Sequence, residues 1–142
     1  MKYSFDKSLG RITHQVSKKL GEKLSQKFKD NHFELDPFQW TVLSYLNYNE
    51  ESIQKDIAYF LGVNKVKTMR ILDSLEKEGM IKRNIARGDK RQNKVRLTDK
   101  GKSYFEKLSP LAEETLKEAY SSLSQKEIQQ CINTLLKIQD NL

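Results

Sequence analysis

Apolar residues recur every three or four positions over most of this chain, the period of a helix with one buried face. Leu9, Ile12, Val16, Leu20, Leu24 and Phe28 mark the first stripe and predict a helix from about Asp6 to Lys29. The pattern lapses between Asp30 and Leu35 and resumes after Asp36. There Asp36 supplies an N-cap oxygen, Pro37 occupies the first helical position, and Gln39 completes a D-x-x-Q capping box. The helix that follows buries Val42, Leu43 and Leu46 and ends in the polar turn Asn47 to Glu50.

Residues 54–64 predict a short helix, a tight turn and a new helix start. Ala58 is small where two helices approach, Gly62 is free to take a positive φ, and Asn64 can cap the next helix. That spacing is the one a helix-turn-helix uses. The second helix runs from about Lys65 to Glu78 and stops at Gly79. At 100° per residue, Thr68, Ile71, Leu72 and Leu75 share its inner face. Val66, Lys67, Arg70, Ser74 and Lys77 lie opposite, with Met69 at the flank.

Loose alternation in Met80–Ile85 and again in Lys94–Leu97 predicts a β-hairpin with its tip at Arg87–Asn93. Thr98 then caps a helix reaching about Ser122, with a bend expected at Pro110. Ser124 and Glu127 form a second capping box and start a last helix striped by Ile128, Ile132, Leu135 and Leu142. The expected fold is mainly α with a small β-hairpin wing. Its parts are an N-terminal dimerisation helix (1–35), a winged helix-turn-helix (36–100) and C-terminal dimerisation helices (101–142).

Charge sharpens this picture. Residues 63–102 hold thirteen Lys or Arg against five Asp or Glu, a surplus of eight, whereas the whole 142-residue chain carries +7. The excess positive charge is thus confined to the helix-turn-helix and hairpin, and such a footprint points to a polyanion, most simply DNA. On the second helix the candidate contacts are Asn64, Lys65, Val66, Lys67, Met69 and Arg70. Arginine can pair bidentately with guanine and valine can touch a thymine methyl in a major groove. The plainer reading is a solvated helix face, but the turn before it and the hairpin after it both suit DNA docking. At the hairpin tip the candidates are Arg87, Asp89, Lys90 and Arg91. Arginine there can enter a narrow minor groove, with Asp89 orienting the Arg91 guanidinium.

The run LGVNKVKTMRILDSLEKEGMIKR, followed by GDKRQNKVRLTDKG, resembles the winged helix-turn-helix core of the MarR family (multiple-antibiotic-resistance regulators). Arg70, Leu75, Glu76, Gly79, Asp89, Arg91, Leu97, Thr98 and Gly101 carry the match, and the flanking helices fit in order and length. The resemblance implies a homodimer with intertwined terminal helices and two recognition helices in successive major grooves of a pseudo-palindromic operator. It also implies repression of a nearby promoter, relieved by a small molecule or an oxidant. Two positions depart from the pattern: Thr68 stands where an apolar residue is preferred, and Met69 where a small polar residue is usual. By the same resemblance, Arg11, His14, Trp40 and Tyr45 lie on helices that line an effector cleft; their plainer reading is ordinary core and surface.

Other classes find little support. The single cysteine, Cys131, falls on the apolar side of the last helix and reads as a buried structural thiol. It lies far from the first helix, where the family's peroxide sensors carry theirs. Only His14 and His32 could offer imidazole, which argues against a multi-histidine zinc site. No cofactor is expected. No Gly-rich phosphate loop, nucleophile arrangement or paired apolar carboxylates point to an enzyme. No apolar run approaches the roughly 20 residues that span a bilayer, and the start lacks a signal-peptide core, so a soluble cytoplasmic protein is expected. The competing binding reading is a winged-helix interaction module that docks an acidic protein partner.

Overall fold

A computed structural model describes residues 1–84 and 94–142. The elements are α1 (Leu9–Asp30), α2 (Pro37–Asn49), β1 (Glu51–Ile53), α3 (Gln54–Leu61) and α4 (Lys65–Lys77), followed by β2 (Ile81–Asn84), β3 (Lys94–Leu97), α5 (Asp99–Ala119) and α6 (Gln125–Asp140). The fold is mainly helical, as expected, with one small antiparallel sheet.

That sheet has three strands in the order β1-β3-β2, one more than the hairpin predicted from sequence. β1 is only three residues long and pairs across the chain, Glu51 opposite Arg96 and Ile53 opposite Lys94. Glu50 turns the chain into it with φ of 62°, a conformation rare for a residue bearing a side chain.

Local sequence chemistry sets the helix starts. Asp36 accepts the Gln39 N–H at 2.9 Å while the Gln39 side chain accepts the Asp36 N–H at 3.0 Å, so the first capping box forms. The second forms at Ser124 and Glu127. α1 begins at Leu9 rather than Asp6, with Ser8 as its N-cap in extended backbone and without a side-chain cap bond. α5 stops at Ala119 and continues through Pro110 as one helix. Proline cannot donate to the Glu106 carbonyl, and the Ser109 hydroxyl lies 3.5 Å from it instead.

The core gathers Phe28 of α1, Val42, Leu43 and Leu46 of α2, Ile57 of α3, Ile71, Leu72 and Leu75 of α4, Val95 and Leu97 of β3, and Leu108 of α5. Trp40 stacks on Phe105 with centroids 5.3 Å apart and meets the edge of Phe28 at 5.4 Å, joining α1, α2 and α5. Lys23 and Lys27 of α1 reach Glu118 of α5, the second at 2.7 Å.

The two end helices behave differently from this centre. On α1 only Phe28 is fully buried, while Leu9, Ile12 and Val16 are exposed. On α6 nothing is buried: Ile132, Leu135 and Leu136 stand open, and no other described element packs extensively on this helix. Cys131, expected to be buried, is therefore exposed. Among the described residues no helix is long and apolar enough to cross a membrane.

Candidate nucleic-acid interface

The helix-turn-helix is built from three local devices. Gly62 sits in the left-handed region (φ 65°) and its N–H donates to the Ala58 carbonyl at 3.1 Å, closing α3. Asn64 accepts the Lys67 N–H at 2.8 Å and caps α4. Thr68, fully buried, donates its hydroxyl to the Asn64 carbonyl at 3.0 Å, so a polar residue enters the core without an unmet hydrogen bond. Thr68, Ile71, Leu72 and Leu75 face inward, as their spacing requires.

The outer face is what remains. Lys65, Val66, Lys67 and Arg70 are exposed on α4, Val66 at 62%. Arg70 makes no ion pair or hydrogen bond among the described residues. The Lys67 ammonium lies 4.0 Å from the centre of the Phe38 ring at the start of α2. Met69 stands apart from this group: it is half-buried, with its sulfur against the Gln54 side-chain amide of α3. Arg87, Asp89, Lys90 and Arg91, the wing-tip candidates, lie outside the described residues.

Not all of the basic footprint faces outward. Arg83 of β2 is pinned between Asp73 and Glu76 of α4, with Glu76 at 3.0 Å. The hydrogen bond from Arg83 holds the Glu76 carboxyl below its ordinary range. This clasp fixes the sheet to α4, a role sequence reasoning missed. Asp73 and Glu76 fall three apart on one side of the helix, and that spacing was the available signal. A further junction ties the sheet to α5. Thr98 accepts the Gly101 N–H at 3.0 Å, and its hydroxyl reaches the carbonyls of Gly79 at 2.5 Å and Met80 at 3.2 Å. Gly79, at φ 75°, ends α4 here.

The four effector candidates do not converge within the chain. Arg11 bonds to the carbonyls of Phe5 at 3.0 Å and Asp6 at 2.6 Å, and to Gln15 at 2.8 Å, all local. His14 is exposed one turn on. Trp40 meets α1 at Phe28, about 25 Å along the helix axis from Arg11 at 1.5 Å per residue. Tyr45 packs on Phe60, with centroids 4.7 Å apart. No group of three or more His, Cys, Asp or Glu placed to hold a metal occurs among the described residues.

Residues 34–92, the segment bearing this arrangement, match the sequence profile of the MarR family. The whole chain resembles solved structures of that kind. An Escherichia coli MarR cysteine-to-serine mutant, solved with operator DNA, is 24% identical with a TM-score of 0.78, the match covering 92% of each chain. A MarR transcriptional regulator from Methanosarcina mazei is 22% identical over 94% of each chain, with a TM-score of 0.82. Bordetella bronchiseptica BpsR, whose DNA binding is regulated by 6-hydroxynicotinic acid, is 19% identical over 99% of each chain, with a TM-score of 0.81. Residues 34–92 thus match the MarR family, and the chain shares the fold of MarR-type structures along nearly its full length.

Proposed function

We propose that this chain is a dimeric, sequence-specific double-stranded DNA-binding transcriptional regulator, a repressor released from its operator by a small molecule. One observation carries the reading. α4 is capped and buried on one face, and it presents Lys65, Val66, Lys67 and Arg70 on the other, where Arg70 has no partner among the described residues. A helix so held is suited to a major groove, with arginine for a base edge and lysines for phosphates. Arg91, oriented by Asp89 and joined by Arg87 and Lys90, would enter the adjoining minor groove. Residues 36–100 form the reading head, and residues 1–35 and 101–142 supply the dimer contacts, which accounts for their uncovered apolar stripes. Such a protein works in the cytoplasm beside its DNA. The operator complex of Escherichia coli MarR supports DNA as the partner. BpsR supports an effector of the small-carboxylate kind. An effector touching both Arg11 or His14 and Trp40 or Tyr45 would have to bridge two subunits.

The test begins with the duplex that the parent protein enriches from a randomised library. Arg70→Ala should weaken binding to it by about 10-fold to 100-fold, the cost of one bidentate base contact, while far-ultraviolet circular dichroism stays unchanged. A parent that enriches no duplex would refute the reading and favour the acidic-partner module. Equal affinity of Arg70→Ala and parent would remove Arg70 from the contact set.

A further inference from the structure

We infer that Phe38 and Gln39, adjacent residues in the first turn of α2, are positioning residues that aim the reading face of α4. Each holds a different point on that helix. The Phe38 ring lies under the Lys67 ammonium at 4.0 Å. The Gln39 amide donates to the Ser74 hydroxyl at 3.0 Å. Lys67, Arg70 and Ser74 follow the i, i+3, i+7 spacing and fall within about 60° of one another around the helix. Arg70 therefore sits between two grips on a single stripe, and all five residues except Phe38 border the same groove between α2 and α4.

Gln39 is suited to this because its amide is hydrogen-bonded at both ends. It is buried, and its oxygen accepts the Asp36 N–H at 3.0 Å while its nitrogen serves Ser74. A buried amide that lost either partner would carry an unmet polar group, so its direction is fixed at both ends. The same side chain that starts α2 thus reaches across to α4. The anchor is itself anchored: Pro37 packs against α1 at Gly21, where an added Cβ would lie 3.7 Å from the proline ring. Rotation of α4 about its own axis would separate Ser74 from Gln39 and Lys67 from Phe38 together. The stripe bearing Arg70 is thereby held in register with the body of the subunit.

The inference rests on the DNA-reading proposal, and the experiment separates the two. Affinity is measured by fluorescence anisotropy for the enriched duplex and for a scrambled duplex of equal composition. Ser74→Ala leaves the capping box intact and removes only the bond to α4. It should weaken the enriched duplex about tenfold and leave the scrambled duplex unchanged, because phosphate contacts tolerate a small misalignment that a base contact does not. Gln39→Glu, whose carboxylate can accept both the Asp36 N–H and the Ser74 hydroxyl, should keep the parent's ratio between duplexes. Phe38→Leu, which keeps apolar volume but no ring face, should lower the ratio in the same direction, and it decides the matter if Ser74→Ala does not fold. Variants that retain the parent's ratio, or that lose both duplexes equally, overturn the inference while the regulator reading stands. A parent with no preference between duplexes overturns both.

Discussion

Replacing Gly101 with alanine asks how closely α5 approaches the sheet. On propensity alone the change should help, by about 1 kcal/mol, since glycine is a poor residue inside a helix. The surroundings reverse that sign. A Cβ at position 101 would lie 2.0 Å from the Met80 carbonyl oxygen, 3.0 Å from its carbon and 3.3 Å from Leu97 Cδ2. The Met80 carbonyl cannot simply turn away, because it accepts the Thr98 N–H at 3.0 Å. The first turn of α5 must instead lift from the sheet, straining the Thr98 cap as it goes. Overpacking of this kind costs about 1–3 kcal/mol and the loss of a cap about 1 kcal/mol. Set against the propensity gain, the net destabilisation is about 2 kcal/mol. At about 4 °C per kcal/mol for a domain of this size, the thermal midpoint should fall by about 8 °C. Circular dichroism melts at matched protein concentration measure it. A midpoint that holds steady or rises would refute the close approach and, with it, the packing reason for a glycine at this position.

Two further outcomes are expected. Hydrogen bonds from Lys23 and then Lys27 hold the Glu118 carboxyl at about 2, against an ordinary 4.5. A depressed carboxyl contributes stability above its ordinary pKa and loses it as the pH falls from about 4.5 towards about 2. Denaturant midpoints followed across that window should therefore drop more steeply for the parent than for Glu118→Gln, and parallel curves would discount the α1–α5 pairing. Leu135→Glu, placed on the open stripe of α6, should convert a dimer to single chains in sedimentation equilibrium without loss of helix content. A parent that already sediments as one chain would sink the dimer proposal.

Where local chemistry decided the outcome, the chain was legible. The Asp36–Gln39 and Ser124–Glu127 boxes, the Gly62 turn, the Asn64 cap and the inner face of α4 all follow from residues within a few positions of one another. β1 was not legible, because Glu-Ser-Ile has no alternating face of its own and is a strand only through its pairing with β3, some forty residues later. The Arg83 clasp was not legible for a similar reason: its acidic partners belong to α4, seven and ten residues away. Cys131 was assigned by the apolar periodicity of its helix, which predicts that a face will be covered but not by which chain. The candidate DNA-contact set on α4 was readable as an exposed face, except for Met69, whose place at the flank of the helix leaves it half-buried against Gln54 of α3.

The clasp around Arg83 bears on how a regulator of this kind would respond to ionic strength. Arg83 faces Asp73 and Glu76, and Lys94 faces Glu51 at 3.0 Å, so both cations are neutralised before any duplex arrives. A base already matched in this way displaces no condensed counterion on docking. Added salt should therefore weaken the complex less steeply than the thirteen bases of residues 63–102 would suggest if every one met a phosphate.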